Sequence, residues 1–287
     1  MKLNPLLNDL FRGEWLLDVN WISGAAPMVD NLLKGMPNVQ QLEEQDSCLS
    51  IMDDSGRRLR PGTEIPIGSI AVVSMIGAAM KYGTACTYGA TDIVEELSYA
   101  NSNPNIKAII LKLDGPGGAV SAIGPFLQFA LEKKKPIIGL ADACMSLHYW
   151  VAISVCDYIM ADNDISARFG SVGVVSQFMD AKKHWEEKGY VFHEVYADVS
   201  GDKNKVFKLA LEGNYEAIKA EHLNPMARKF QNAVLAGRPK LREEAGVLTG
   251  ATYDADKALG LNVIDGIGSF KMAVNIANMY AELKTQL

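Results

Sequence analysis

The sequence predicts an α/β chain built on a parallel sheet, and three observations carry that expectation. From Ser69 onward, short β-branched runs alternate with helical stretches at a pitch that suits strand–helix–strand crossovers. The strand candidates are short, β-branched and buried-looking, as strands covered on both faces tend to be. Turn residues such as Asn103-Pro104-Asn105 punctuate the series.

The elements follow in order. The first 65 or so residues differ in texture: Trp15, Leu16, Leu17, Trp21 and a helical stretch at Met28–Leu33 are separated by polar segments. Arg57–Pro66 is a turn-rich connector, so residues 1–66 are expected to form an N-terminal arm or extension to a domain at 67–287. Ile70–Ile76 is the first strand, and Thr91–Ala100 carries helical spacing through Ile93, Val94 and Leu97. Ile106–Leu113 is a buried strand. The loop Asp114–Gly118 is expected to feed directly into a helix ending near Leu131. Lys133–Lys135 is expected to be a solvated helix end, where positive charge complements the helix dipole. Strand Ile137–Ala141, helix Ser146–Ser154 and strand Tyr158–Ala161 follow. Beyond them, Asp180–Lys188 and Tyr215–Ala236 have amphipathic spacing. Ala255–Leu259 and Phe270–Leu283 frame a turn at Asp265-Gly266.

Composition excludes several classes. The chain has 287 residues, 28 basic against 34 acidic, for a net charge of −6, which argues against an electrostatic grip on nucleic acid or anionic lipid. Cys48, Cys86, Cys144 and Cys156 show no CxxC spacing, and the four histidines form no HExxH, so neither a disulfide framework nor a metal site is expected. The best apolar stretches fall short of the roughly 20 residues that span a bilayer. The expectation is a soluble, cytoplasmic chain without a membrane anchor.

Two loops could hold chemistry. Asp114-Gly-Pro-Gly-Gly118 follows a strand, and its paired glycines let backbone N–H groups face a developing oxyanion. A tight structural turn is the plainer reading. Ser146, in Ala141-Asp-Ala-Cys-Met-Ser-Leu-His-Tyr149, stands at a strand-to-helix turn where a nucleophile could be displayed, although helix capping is the commoner use of such a serine. His148 lies only two residues on, facing another way along a helix, so it is read as structural or pocket-lining.

Together these segments resemble the signal peptide peptidase A family of serine peptidases. The family's strand and Pro-Gly-Gly loop are matched by Lys107–Leu113 and Pro116–Gly118. Its nucleophile segment is matched by Met145–Tyr149, and its Gly-Ser-Ile-Gly-Val by Gly170–Val174. Its closing pattern is matched by Tyr253–Asp265. The resemblance covers about three quarters of the chain and implies the Clp-protease/crotonase-like α/β fold, with parallel-sheet ββα crossover units.

The resemblance also implies a serine–lysine dyad without cofactor or metal. Ser146 would be the nucleophile. The base would be Lys203, with Lys205 the alternative, because family spacing falls on Asn204. The oxyanion donors would be the N–H groups of Gly118 and Leu147, with Gly117 and Ser171 lining the site. The sequence departs from the family pattern at Leu147 and His148, which replace paired glycines, and at Asp114. The implied substrate is protein or peptide, and the implied assembly a homo-oligomer. The opening Gly-Glu-Trp-Leu-Leu-Asp is closest in character to the phage and prophage branch, which processes capsid or scaffold proteins in assembling heads. Two further readings keep the fold: a catalytically inactive assembly subunit, and an acyl-CoA enzyme for which no residue pattern speaks.

Overall fold

The structure, a computed structural model, describes residues 14–17, 47–83, 87–178, 180 and 182–286. The Met28–Leu33 helix, Trp21 and Cys86 of the sequence reading lie outside them. The chain begins with β1 (Glu14–Leu17), β2 (Leu49–Met52), β3 (Ser69–Ile76), α1 (Ala90–Ser102), β4 (Ile106–Gly115) and β5 (Gly117–Ala119). A 3₁₀ turn at Val120–Ala122 leads to α2 (Ile123–Glu132), β6 (Ile137–Met145), α3 (Leu147–Val155), β7 (Tyr158–Ala161), β8 (Arg168–Gly170) and β9 (Val175–Ser176). Then come α4 (Lys182–Glu187), α5 (Lys205–Leu211), α6 (Glu216–Ile218), a π-helical turn at Lys219–Leu223 and α7 (Asn224–Gly237). The chain closes with β10 (Thr252–Asp254), α8 (Ala255–Gly260), β11 (Gly266–Ile267) and α9 (Phe270–Thr285).

The main sheet runs β10-β8-β6-β4-β3-β2, with β7 beside β6 and β11 beside β7. Pairings β3–β4, β4–β6, β6–β7 and β6–β8 are parallel, whereas β2 and β10 add antiparallel edges. This is the mixed α/β class with a mostly parallel sheet that the sequence predicts. Ile109, Ile110, Leu111, Ile137 and Ile138 are fully buried because helices cover both faces. One face packs α1, α2, α3 and α7, and the other packs α9 through Ala273, Val274 and Ala277.

Strand β6 is the pivot. Its first half pairs with β7 (Ile138↔Tyr158 to Ala141↔Ala161) and its last residues with β8 (Ala143↔Arg168 to Met145↔Gly170). The chain thus reaches the end of β6 from both sides, since Gly115 of β4 also lies opposite Cys144. Open α/β sheets bind ligands outside the carboxyl ends of their strands, and that end of β6 is where Ser146 follows.

Three local expectations are corrected. The Gly117-Gly118 segment does not open a helix: β5 and the 3₁₀ turn intervene before α2, so these glycines lie along a strand edge. The 215–236 helix is broken into α6, the π-helical turn and α7. The lysine run is not merely a solvated end. Lys133 donates to the Val155 carbonyl at 3.0 Å and pairs with Asp157 at 2.8 Å, while Lys135 donates to the carbonyls of Ala100 and Asn103 at the C-terminal end of α1. Helices leave those carbonyls without internal partners, and a lysine satisfies them.

The closing segment braces the sheet. Asp265 accepts the Ile159 N–H at 2.8 Å through its carboxylate and pairs with Arg238 at 2.9 Å, joining β7 to the end of α7. Tyr149 donates to the Val263 carbonyl at 2.9 Å. Trp150 of α3 stacks on Phe230 of α7 with centroids 4.7 Å apart and planes 4° from parallel. Phe230 is fully buried. Phe230→Ala is therefore expected to cost about 3–5 kcal/mol, cavity included, in urea unfolding of the full chain. A loss under about 1 kcal/mol would contradict this packing.

Candidate active site

Ser146 sits between the end of β6 and the start of α3 with φ 54° and ψ −115°, a conformation that costs energy for any residue with a Cβ. Three anchors hold it there. Its N–H donates to the Gly170 carbonyl at 2.8 Å, and its own carbonyl accepts the Trp150 N–H at 3.0 Å as the first bond of α3. The third is packing: the next six residues, Leu147 through Ala152, are all buried. A helix apolar on every face is held by burial, so its first residue cannot swing out to relieve the turn. The serine hydroxyl makes no capping bond to the helix. Capping, the commoner use of serine at such a position, is therefore not its role here.

Leu147 and His148 stand where the resembling family has glycines, and both point inward. Leu147 is fully buried in the core beside α3. Its N–H is in the first helical turn, where helices have no internal acceptor. The His148 ring fills the turn between β4 and β5: Nδ1 accepts the Gly117 N–H at 3.2 Å. A Cβ on Gly115 would come within 2.4 Å of the ring and of the Gly77 carbonyl, so only glycine fits there. Burial pushes the imidazole down to about 3, opposed by the Met75 backbone. The ring is thus neutral at ordinary pH, with its proton on Nε2 while Nδ1 accepts. It is a structural bracket, as its spacing from Ser146 suggested.

The glycine loop is fixed as tightly. The Ala79 N–H donates to the Gly117 carbonyl at 2.8 Å, and the Ala119 N–H donates to the Ala79 carbonyl at 2.9 Å. Gly118 lies between these two bonds, and a Cβ on it would approach the Ala79 carbonyl to 2.0 Å. Along a strand, successive N–H groups face opposite edges, so the Gly118 N–H faces away from Ala79. On the other side of Ser146, Gly170 adopts φ 110° and Ser171 φ 55°. The Ser171 N–H donates to the Ala251 carbonyl at 2.8 Å. Residues 251–254 thus hold the Gly170–Ser171 turn against Ser146, a role that the closing motif did not announce in sequence.

Ser146, Leu147, Gly117, Gly118 and Ser171 are therefore gathered around one end of β6. The two candidate lysines are placed differently. Both are exposed where the chain enters α5, Lys203 on the preceding turn and Lys205 at the helix start, where Lys205 pairs with Asp202 at 3.2 Å. Neither is hydrogen-bonded to Ser146 among the described residues. Asp114, at the end of β4, has its carboxyl raised by desolvation and by the neighbouring Asp142 and Asp162. The sequence reading missed Ala79, Ala251 and the bracket role of His148. Only the last carried a signal, since a bulky residue replacing glycine beside a Gly-Gly loop has to be lodged somewhere.

Residues 130–284, just over half of the chain, match the family model for peptidase family S49. The chain belongs to peptidase family S49. It is 25% identical over 233 residues to Protease 4 of Salmonella typhi, covering 76% of this chain and 35% of that protein. It is 24% identical over 201 residues to the chloroplastic serine protease SPPA of Arabidopsis thaliana, covering 68% and 29%. It is also 25% identical over 183 residues to the head-tail preconnector protein GP5 of Enterobacteria phage P21, covering 62% and 33%. The chain spans about a third of the length of these relatives. No helix among the described residues is long and apolar enough to cross a membrane.

Two outcomes are expected. Ser146→Gly should raise thermal stability by about 1 kcal/mol or more, because glycine adopts positive φ without strain; Ser146→Ala should not. Equal melting temperatures for the two variants would contradict a strained turn. The second concerns pH. An unfolded histidine titrates near 6.5, so below that pH the unfolded chain binds a proton that buried His148 refuses. Stability should therefore fall as pH drops from about 6.5 toward 3, by up to about 1.4 kcal/mol per unit from this group. His148→Gln should flatten the upper part of that slope, above the range where carboxylates titrate. Identical slopes would contradict a buried neutral imidazole.

Proposed function

We propose that this S49 chain is a serine endopeptidase acting through an acyl-enzyme. The observation that carries the reading is the strained, buried turn that presents Ser146 beside two backbone donors. The Ser146 hydroxyl adds to a peptide carbonyl while its proton passes to a lysine amine. The tetrahedral oxyanion is held by the N–H groups of Gly118 and Leu147. Collapse expels the amine with that proton and leaves the ester, which water hydrolyses. No cofactor or metal takes part.

Lys203 is proposed as the base, with Lys205 as the alternative, and Ser171 as a neighbour that orients the amine or lines the cleft. A solvated lysine near pKa ~10.4 is a poor base at neutral pH, so the lysine must be desolvated to act. The turn that carries it is exposed in the single chain, next to a run of exposed apolar residues that includes Tyr190, Val191, Phe192, Val195 and Val199. Such a patch suits contact with another chain. We therefore propose a homo-oligomer in which burial of this segment brings the lysine to Ser146. Residues 1–66 are proposed as an arm on the peptidase domain at 67–287. The likeness to a phage head-tail preconnector protein supports capsid or scaffold proteins as substrates.

A second reading, an inactive assembly subunit of the same fold, is favoured by the exposure of both lysines. A fluorophosphonate separates the two. Labelling of the wild type that disappears in Ser146→Ala is the expected result, with Lys203→Ala slowing labelling by roughly 10²-fold or more. Equal labelling of wild type and Ser146→Ala would overturn the nucleophile. Loss of rate in Lys205→Ala instead would transfer the base to that residue.

A further inference from the structure

Strand β1 occupies an unusual place. It runs antiparallel to β5 on one side, pairing Trp15↔Ala119, Leu16↔Gly118 and Leu17↔Gly117. On the other side it runs antiparallel to β9, pairing Glu14↔Ser176 and Trp15↔Val175. These three strands form a small sheet of their own, ordered β5-β1-β9. Its walls are the two segments that flank Ser146: β5 carries Gly118, and β9 follows the Gly170–Ser171 turn. Because Ala79 brackets Gly118 from one edge, the N–H of Gly118 faces the other edge, where it lies opposite Leu16 in the β1–β5 ladder.

The slot between β5 and β9 is thus one strand wide and hydrogen-bonding on both walls. Main-chain pairing of this kind accepts an extended segment of almost any sequence. Its present occupant is short, four residues against walls of three and two, whereas β3, β4 and β6 span eight, ten and nine. Such a short ladder is among the elements that open first.

We propose that β1 is an internal occupant of the peptide slot, an autoinhibitory strand that must leave before a substrate strand pairs with β5 and β9. The proposal rests on the reading of Ser146 as nucleophile. It follows that the proposed oxyanion donor at Gly118 is covered by the chain's own backbone in the resting state, and that activity is gated by release of β1.

The test uses the full chain and two probes: a small fluorophosphonate, which reports the nucleophile, and a peptidyl phosphonate, which must also enter the slot. Leu16→Pro removes an N–H from a strand paired on both sides, and Leu16→Ala keeps the backbone intact. Leu16→Pro is expected to speed peptidyl labelling of Ser146 by roughly tenfold, the factor gained when a state open about a tenth of the time becomes fully open. Leu16→Ala should stay near the wild-type rate. Unchanged peptidyl labelling in Leu16→Pro, with the fluorophosphonate still marking Ser146, overturns the proposal and leaves the nucleophile standing. If neither probe marks Ser146 in any variant, the nucleophile reading fails and the proposal falls with it. Should Leu16→Pro not fold, hydrogen exchange on the wild type decides. Amides 15–17 are expected to lose protection when the peptidyl phosphonate is attached, and retained protection overturns the proposal.

Discussion

Burial of the first turn of α3 is the constraint from which the rest of the site follows. Leu147 and His148 are driven into the interior, and with Tyr149 to Ala152 behind them the helix start cannot move. The sheet, for its part, fixes the end of β6 between Gly115 and Gly170. Ser146 bridges these two anchored elements, and the backbone that joins them has positive φ. The cost is of order 1–3 kcal/mol, small beside the burial of six consecutive helical residues. The same insertion places the His148 ring where it can hold the Gly117 N–H, so the two walls of the site share one anchor.

This also explains why glycines after the serine can be dispensed with. A Leu-His pair is incompatible with the turn only if the side chains project into the cleft. Here they project away from it, and the space for the imidazole is made at Gly115, where no Cβ fits. The proposed oxyanion donors are backbone groups, so the exchange leaves them in place. The base is governed by a different requirement. Both candidate lysines are exposed in the single chain, and the proposed reading requires one of them to be desolvated or given new neighbours. On the proposed reading, chemistry requires two changes of different kinds: a segment that must arrive, carrying the lysine, and a strand that must depart.

Much of the frame was legible in sequence because it is local. The runs Ile70–Ile76, Ile106–Leu113 and Tyr158–Ala161 are largely apolar and rich in β-branched or aromatic residues, and each forms the strand expected within a residue or two at its ends. Ser146 was legible by its position between a strand and an apolar helix, and the glycine loop by its spacing. What could not be read depends on contacts distant in sequence. Short strands such as β5, β8, β9 and β10 have too few residues for a periodic signal and exist because Leu16, Met145, Trp15 and Gly170 lie opposite them. The role of Lys135 depends on where α1 ends, 32 to 35 residues away. Spacing alone could not choose between Lys203 and Lys205, since Asn204 occupies the expected place and neighbouring lysines share one turn.

The most direct measurement is the mass of the covalent intermediate. The full chain would be incubated with an activated ester, quenched in acid and mapped by peptide mass spectrometry. An acyl adduct on Ser146 is expected, absent from Ser146→Ala and lost from the wild type as hydrolysis proceeds. An adduct on another residue, or turnover with no acyl adduct on Ser146 under conditions that trap it, would contradict the account.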